Sequence, residues 1–200
     1  MSDTILANKK ILDLVAAKIS AVEEAFEQYD SHNDRKATLH SAIVKLDADE
    51  NTALSSTSDD AAAIKAIVTA RTMKDLHSAR IAHVDGRIAT TKQNVVAAGA
   101  VARQYTLEVA QQLANRRFDV ALALVEATYE HQPVGDHKHL ARCSKSVIAA
   151  ERLVSGVTAF IDESREVESL RHLRSNFAPV AEACEKEDGL NLTLPESWLK

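Results

Sequence analysis

The residues of this chain best suited to chemistry gather near one turn. His131, Asp136, His137, His139 and Cys143 lie close together in sequence. His139 and Cys143 stand four apart, so on a helix they share a face, and imidazole with thiolate is a zinc-type ligand pair. The rest of the pattern does not follow. There is no His-Glu-x-x-His and no Cys-x-x-Cys, and Asp136-x-x-His139 is a single carboxylate–histidine pair where a helical di-iron site needs two. The expectation is therefore a polar turn, with Cys143 filling a small position as a hydrophobe. His137, His139 and Cys143 stay as metal candidates, and no cofactor is expected. His32, His40, His77, His83 and His172 are spread along helices, where most should face solvent.

Other chemistries lack their residues. Five scattered glycines (Gly86, Gly99, Gly135, Gly156, Gly189) build no phosphate loop, and no Gly-x-Ser-x-Gly elbow occurs. Arg87, Lys92, Arg103, Arg116 and Arg117 make one stretch basic, but Tyr105 is the only aromatic platform near them. With a net charge of −5, nucleic acid is not the expected partner. The C-terminal tail is the strongest candidate for binding a protein. Leu190, Leu192 and Leu194 alternate, and Trp198, the sole tryptophan, and Leu199 follow. An apolar extended segment can dock by strand addition or fold back on its own chain.

Composition and periodicity set the elements that must position these residues. Apolar residues are 46% of the chain but aromatics only 4%, and no proline precedes Pro133. Few turns and long uninterrupted patterns point to an all-α fold. Leu12, Val15, Ile19, Val22, Phe26 and Tyr29 step by threes and fours, the seam of a helix lying along another helix. The seam weakens at residues 31–36 and resumes at Leu39, Ile43 and Leu46. This predicts helix 1 from Thr4 to Asp49, with room for a break near residues 31–34. Asn51 to Asp60 reads as a turn cluster. Helix 2 is predicted from Asp59 to His131, roughly 110 Å at ~1.5 Å per residue. Its seam opens with Ile64, Ile67, Met73 and Leu76. It continues through Ile81, Val84, Ile88, Thr91, Val95, Ala98, Ala102, Tyr105 and Val109, and ends with Leu113, Val120, Leu124 and Ala127. The phase holds across Gly86 and Gly99, which argues for one helix.

Beyond Pro133 and Gly135, Asp136 can cap a third helix carrying Leu140, Cys143, Val147, Ala150, Val154, Val157 and Ile161. Val167, Leu170, Leu173 and Phe177 continue it. Pro179 is expected to start a short last helix that Gly189 stops, with an extended tail over 190–200. Residues 1–60 hold twelve acids and six bases, and residues 61–135 hold six acids and nine bases. Opposite charge favours pairing helix 1 with helix 2, and short loops favour an antiparallel arrangement.

The expected architecture is an elongated antiparallel helical hairpin over 1–132 with a very long central helix. A C-terminal helical segment over 133–200 packs back on it. A compact four- or five-helix bundle is the alternative. The expected function is non-enzymatic: a coiled-coil subunit of a larger assembly, such as a virus (phage) particle component or an assembly scaffold. Protein partners, second copies included, are expected, and a membrane is not. A partner-binding adaptor or chaperone acting through the tail is the second reading, and a metal-dependent helical-bundle enzyme the third. No secretion signal or apolar span is read, which suits an intracellular, cytoplasmic or virion-associated protein.

Overall fold

The computed structural model describes residues 3–55, 61–129, 133–163, 167–187 and 191–195. The fold is all-α, with one small ribbon. In chain order the elements are β1 (Asp3–Ala7), α1 (Asn8–Ser55), α2 (Ala61–Thr128), α3 (Val134–Arg142) and α4 (Lys145–Glu163). A 3-10 segment (Val167–His172), α5 (Leu173–Glu185) and β2 (Asn191–Pro195) complete it. The chain forms two compact units, one of residues 24–95 and one of residues 1–23 with 96–200. This grouping places the start of α1 and the later part of α2 with the C-terminal helices, where the sequence reading drew a boundary at residue 132.

In the unit of residues 24–95, α1 and α2 pair as an antiparallel hairpin. Lys36 meets Asp85 at 2.7 Å, Asp47 meets Lys74 at 2.8 Å, and Glu50 receives both Lys74 and Arg71. Each step forward on α1 is matched by an equal step back on α2. The pairs join acids of α1 to bases of α2 in three cases of four, as the charge balance of the two segments requires.

Burial along this part of α2 follows a heptad without exception. Ala63, Ile67, Ala70, Lys74, His77, Ile81, Val84, Ile88, Thr91 and Val95 turn inward, and every other residue from 61 to 95 is exposed. The facing positions on α1 are Phe26, Tyr29, Asn33, Lys36, Leu39, Ile43, Leu46, Glu50 and Ala53. The expected seam is therefore right at Ile67 and from Ile81 to Val95, and displaced at its other early positions: Ile64, Met73 and Leu76 are exposed, while Ala63, Lys74 and His77 take the inward places.

α1 does not break at residues 31–34, where room for a break was read, and α2 is one helix, as expected. α1 passes through residues 31–36, and polar side chains beside them bond back to its carbonyls. Asn33 Nδ2 donates to the Tyr29 carbonyl at 3.1 Å, and Thr38 Oγ1 donates to the Asp34 carbonyl at 2.9 Å. α1 also continues past Asp49 to Ser55, where Thr52 Oγ1 donates to the Ala48 carbonyl and Ser55 Oγ to the Thr52 carbonyl. α2 runs unbroken through Gly86 and Gly99.

In the second unit, Ile11, Val15, Ile19 and Val22 of α1 are fully buried, as are Ala102, Val109, Ala110 and Leu113 of α2. Lys18 lies over the Tyr105 ring at 5.7 Å. Gly99 is where the 3-10 segment closes on α2: a methyl group there would stand 2.6 Å from Leu170 Cδ1. Beyond Leu113 the buried face of α2 rotates. Ala121, with Phe118, Leu122 and Val125 beside it, packs with Ala141 and Val147, while Val120 and Leu124, expected in the seam, are exposed. The rotation follows the change of partner from α1 to α3 and α4.

The predicted third helix is interrupted at Cys143 and Ser144, which separate α3 from α4. Pro179 lies inside α5 and is exposed. It leaves one carbonyl of the preceding turn without its helical donor, on the solvent side where water can replace it. At the N-terminus, residues expected to open helix 1 form β1 instead. It pairs antiparallel with β2 in the register Thr4↔Leu194 and Leu6↔Leu192.

Candidate functional site

The histidine–cysteine turn does not assemble. His137 is buried, and its Nε2 lies 2.8 Å from the Tyr129 carbonyl oxygen, tying α3 to the end of α2. Its Nδ1 has no hydrogen-bond partner among the described residues. His139 and Cys143 are exposed, and Cys143 ends α3 with its backbone N–H shared between the His139 and Leu140 carbonyls. His131 lies outside the described residues. Among the described residues, no three His, Cys, Asp or Glu side chains are grouped to hold a metal ion.

Leu192 and Leu194 fall in β2, which pairs along one edge with β1 of the same chain. Leu190, Trp198 and Leu199 lie outside the described residues. In the basic stretch, Arg117 is committed to Glu187 at 2.9 Å, and Arg103 Nε donates to the Gly99 carbonyl at 3.3 Å. Two of these cations therefore serve the fold.

The surface features that the sequence reading missed are on the 24–95 hairpin. Residues that follow an inward position form one flank of a helix, and residues that precede it form the other. In an antiparallel pair, the following flanks of both helices lie on one side of the hairpin and the preceding flanks on the other. An open groove demonstrates the second side: Gln28 and His32 of α1 and His83, Arg87 and Asn94 of α2 line it together, and each precedes an inward position.

The following flank is apolar near the loop. Val44 is 67% exposed, Leu54 55%, Ile64 59% and Val68 58%, and each is one residue past an inward position. Lone exposed hydrophobes are ordinary, but Leu54, Ile64 and Val68 come to neighbouring levels of the hairpin in the register set by the Asp47–Lys74 pair and form a patch, with Val44 farther along α1. The same flank carries Glu27, Asp30, Asp34, Asp47, Asp75 and Asp85, against two bases, Arg71 and Lys92. The preceding flank reverses the sign. It carries Arg35, Lys45, Arg80 and Arg87 with His32 and His83, against one acid, Asp49. These four bases are exposed and enter no ion pair among the described residues.

Under the acidic flank, Glu50 is buried in the seam. Hydrogen bonds from Lys74 and then Arg71 hold its carboxyl below the usual carboxylate range.

No protein-family model, curated protein or solved structure matches the chain. No helix among the described residues is long and apolar enough to cross a membrane.

Proposed function

We propose that the protein is a non-enzymatic structural subunit whose helical hairpin joins a larger protein assembly. The observation that carries this reading is the exposed row Val44, Leu54, Ile64 and Val68 on one flank of the hairpin. Beside it, the seam is poor in large side chains, with Ala63, Ala70, Lys74 and His77 in inward places. Alanine and polar groups bury little apolar area, and helical stability in proteins comes mostly from packing an apolar face. A hairpin built this way gains from covering its outer apolar residues against another protein. A particle component, viral or otherwise, or an assembly scaffold uses subunits in this manner, and this is the setting proposed here. Of the metal candidates, His137 is hydrogen-bonded at the end of α2 and serves the junction with α3.

The test is light scattering after size exclusion, on the native protein and on Leu54→Glu with Val68→Glu. The native protein is expected above the mass of one chain, and the double variant at one chain with its helical circular dichroism unchanged. Each buried charge should weaken association about tenfold or more, since 1.4 kcal/mol is a factor of ten. A native protein of one-chain mass at every concentration contradicts the reading.

A further inference from the structure

We infer that copies of this chain associate flank to opposite flank: the basic side of one hairpin docks on the acidic, apolar side of the next. The inference rests on the assembly reading above and specifies its partner and geometry.

On α1, Asp34 on the acidic flank is the sequence neighbour of Arg35 on the basic flank, so the two signs stand at one height of the hairpin. The ion pair of Lys36 with Asp85 fixes the height of α2 there, and Arg87 stands near it on the basic side. Nearer the loop, Asp47 and Asp75 on one side stand opposite Lys45 and Arg80 on the other. A second hairpin translated sideways therefore brings acids against bases at two levels without a shift along the helices. Of the apolar groups, Val44 on the acidic side comes level with Leu76 and Met73, 42% and 37% exposed, on the basic side, while Leu54, Ile64 and Val68 come level with the small residues Ala62, Ala66 and Thr69.

The same surface opposes a symmetric dimer. Pairing basic flank with basic flank sets Arg35, Arg80 and Arg87 against their own copies, and like charges across an interface are costly. Joining two different patches leaves each end of a pair with one patch free. Such contacts close into rings or extend as filaments, which is what a scaffold or shell subunit requires. Complementary sign fixes partner and register, and the apolar residues supply the contact.

The test uses the full chain and two charge-reversed variants. One carries R35E, R80E and R87E, which makes both flanks acidic. The other carries E27K, D34K and D75K, which makes both basic. None of these residues is in an ion pair among the described residues, and circular dichroism with thermal unfolding checks that both variants fold.

Sedimentation velocity is then run at low and high salt. The native chain should associate, and about 0.5 M salt should weaken it, because the Debye length shrinks well below its ~8 Å at physiological strength. Each variant alone should be monomeric, and a one-to-one mixture should associate again. If the native chain associates and either variant alone associates equally well, the flank-to-flank inference fails while the assembly reading stands. If the native chain is monomeric throughout, both fail. A monomeric chain that binds single-stranded RNA through Arg35, Arg80 and Arg87 makes the occupant a polyanion, and overturns the inference.

Discussion

A methyl group added at Gly99 would press on Leu170, which is 3% exposed and has little room to withdraw. Added at Gly86 or Gly156, it meets nothing within 4 Å. Helix propensity favours alanine at all three by about 1 kcal/mol, while overpacking costs about 1–3 kcal/mol. Urea unfolding should therefore show Gly99→Ala destabilised by about 1 kcal/mol, and Gly86→Ala and Gly156→Ala stabilised by about 0.5–1 kcal/mol. Combining Gly99→Ala with Leu170→Val should recover part of the loss. Equal stabilisation at all three positions would contradict the close packing of the 3-10 segment on α2.

The two thiols separate in the same way. Cys184 is fully buried, and burial pushes its thiol up to about 11, outweighing the opposing pull of Arg117. Cys143 is exposed. A thiol reagent should label one cysteine quickly in the native protein and both after denaturation. The sequence places both cysteines in helical patterns but contains no signal for which one is covered, since that depends on how α5 packs.

At the scale of elements, the long helices are legible because their period is. The 3-4 rhythm from Ile81 to Val109 predicts the inward face of α2 correctly. Followed backward it reaches His77, Lys74, Ala70, Ile67 and Ala63, which are the observed inward residues. Choosing the larger apolar residues Ile64, Met73 and Leu76 instead departs from the rhythm, and those side chains are exposed. Apolar character there reports the outer flank, not the seam. The C-terminal elements were harder to read. A short strand pair between the two ends of the chain leaves no periodic trace, and the face of α2 after Leu113 depends on which helix it meets.

Two predictions belong to the hairpin. His77 sits in the seam with a buried Nδ1 that has no hydrogen-bond partner among the described residues. His77→Leu should raise stability by about 1 kcal/mol in thermal unfolding, because an unpaired buried nitrogen is replaced by packing; a loss would mean the nitrogen is solvated. Glu50 is held below the usual carboxylate range chiefly by Lys74 and Arg71. A carboxyl depressed in the folded state contributes stability above its unfolded pKa, about 4.3, and that contribution is lost as pH falls through the folded value. The native protein should lose stability on acidification through this range. Glu50→Gln should be less stable at neutral pH and lose less on acidification. Parallel pH curves for the two proteins would remove Glu50 from the account. Glu23, hydrogen-bonded by Arg174, is shifted in the same direction, so part of the slope should survive in the variant.

At the scale of the molecule, the all-α fold follows from composition: few glycines, late prolines and a long repeat leave little else. The candidate surface was less legible. The net charge of −5 hides an acidic flank and a basic flank, which appear only when each residue is assigned to a side of the seam. The histidine–cysteine turn and the apolar tail drew attention first because of their residue types, yet His137 serves the junction of α2 with α3, and β2 is paired with β1. The central claim is that the hairpin exists to be covered by other copies of the chain. Sedimentation velocity of the native protein from low to high micromolar concentration, at low salt, tests it most directly. A sedimentation coefficient that rises with concentration, and falls back when salt is added, is the predicted result. A single-chain coefficient that is constant over the whole range would contradict it.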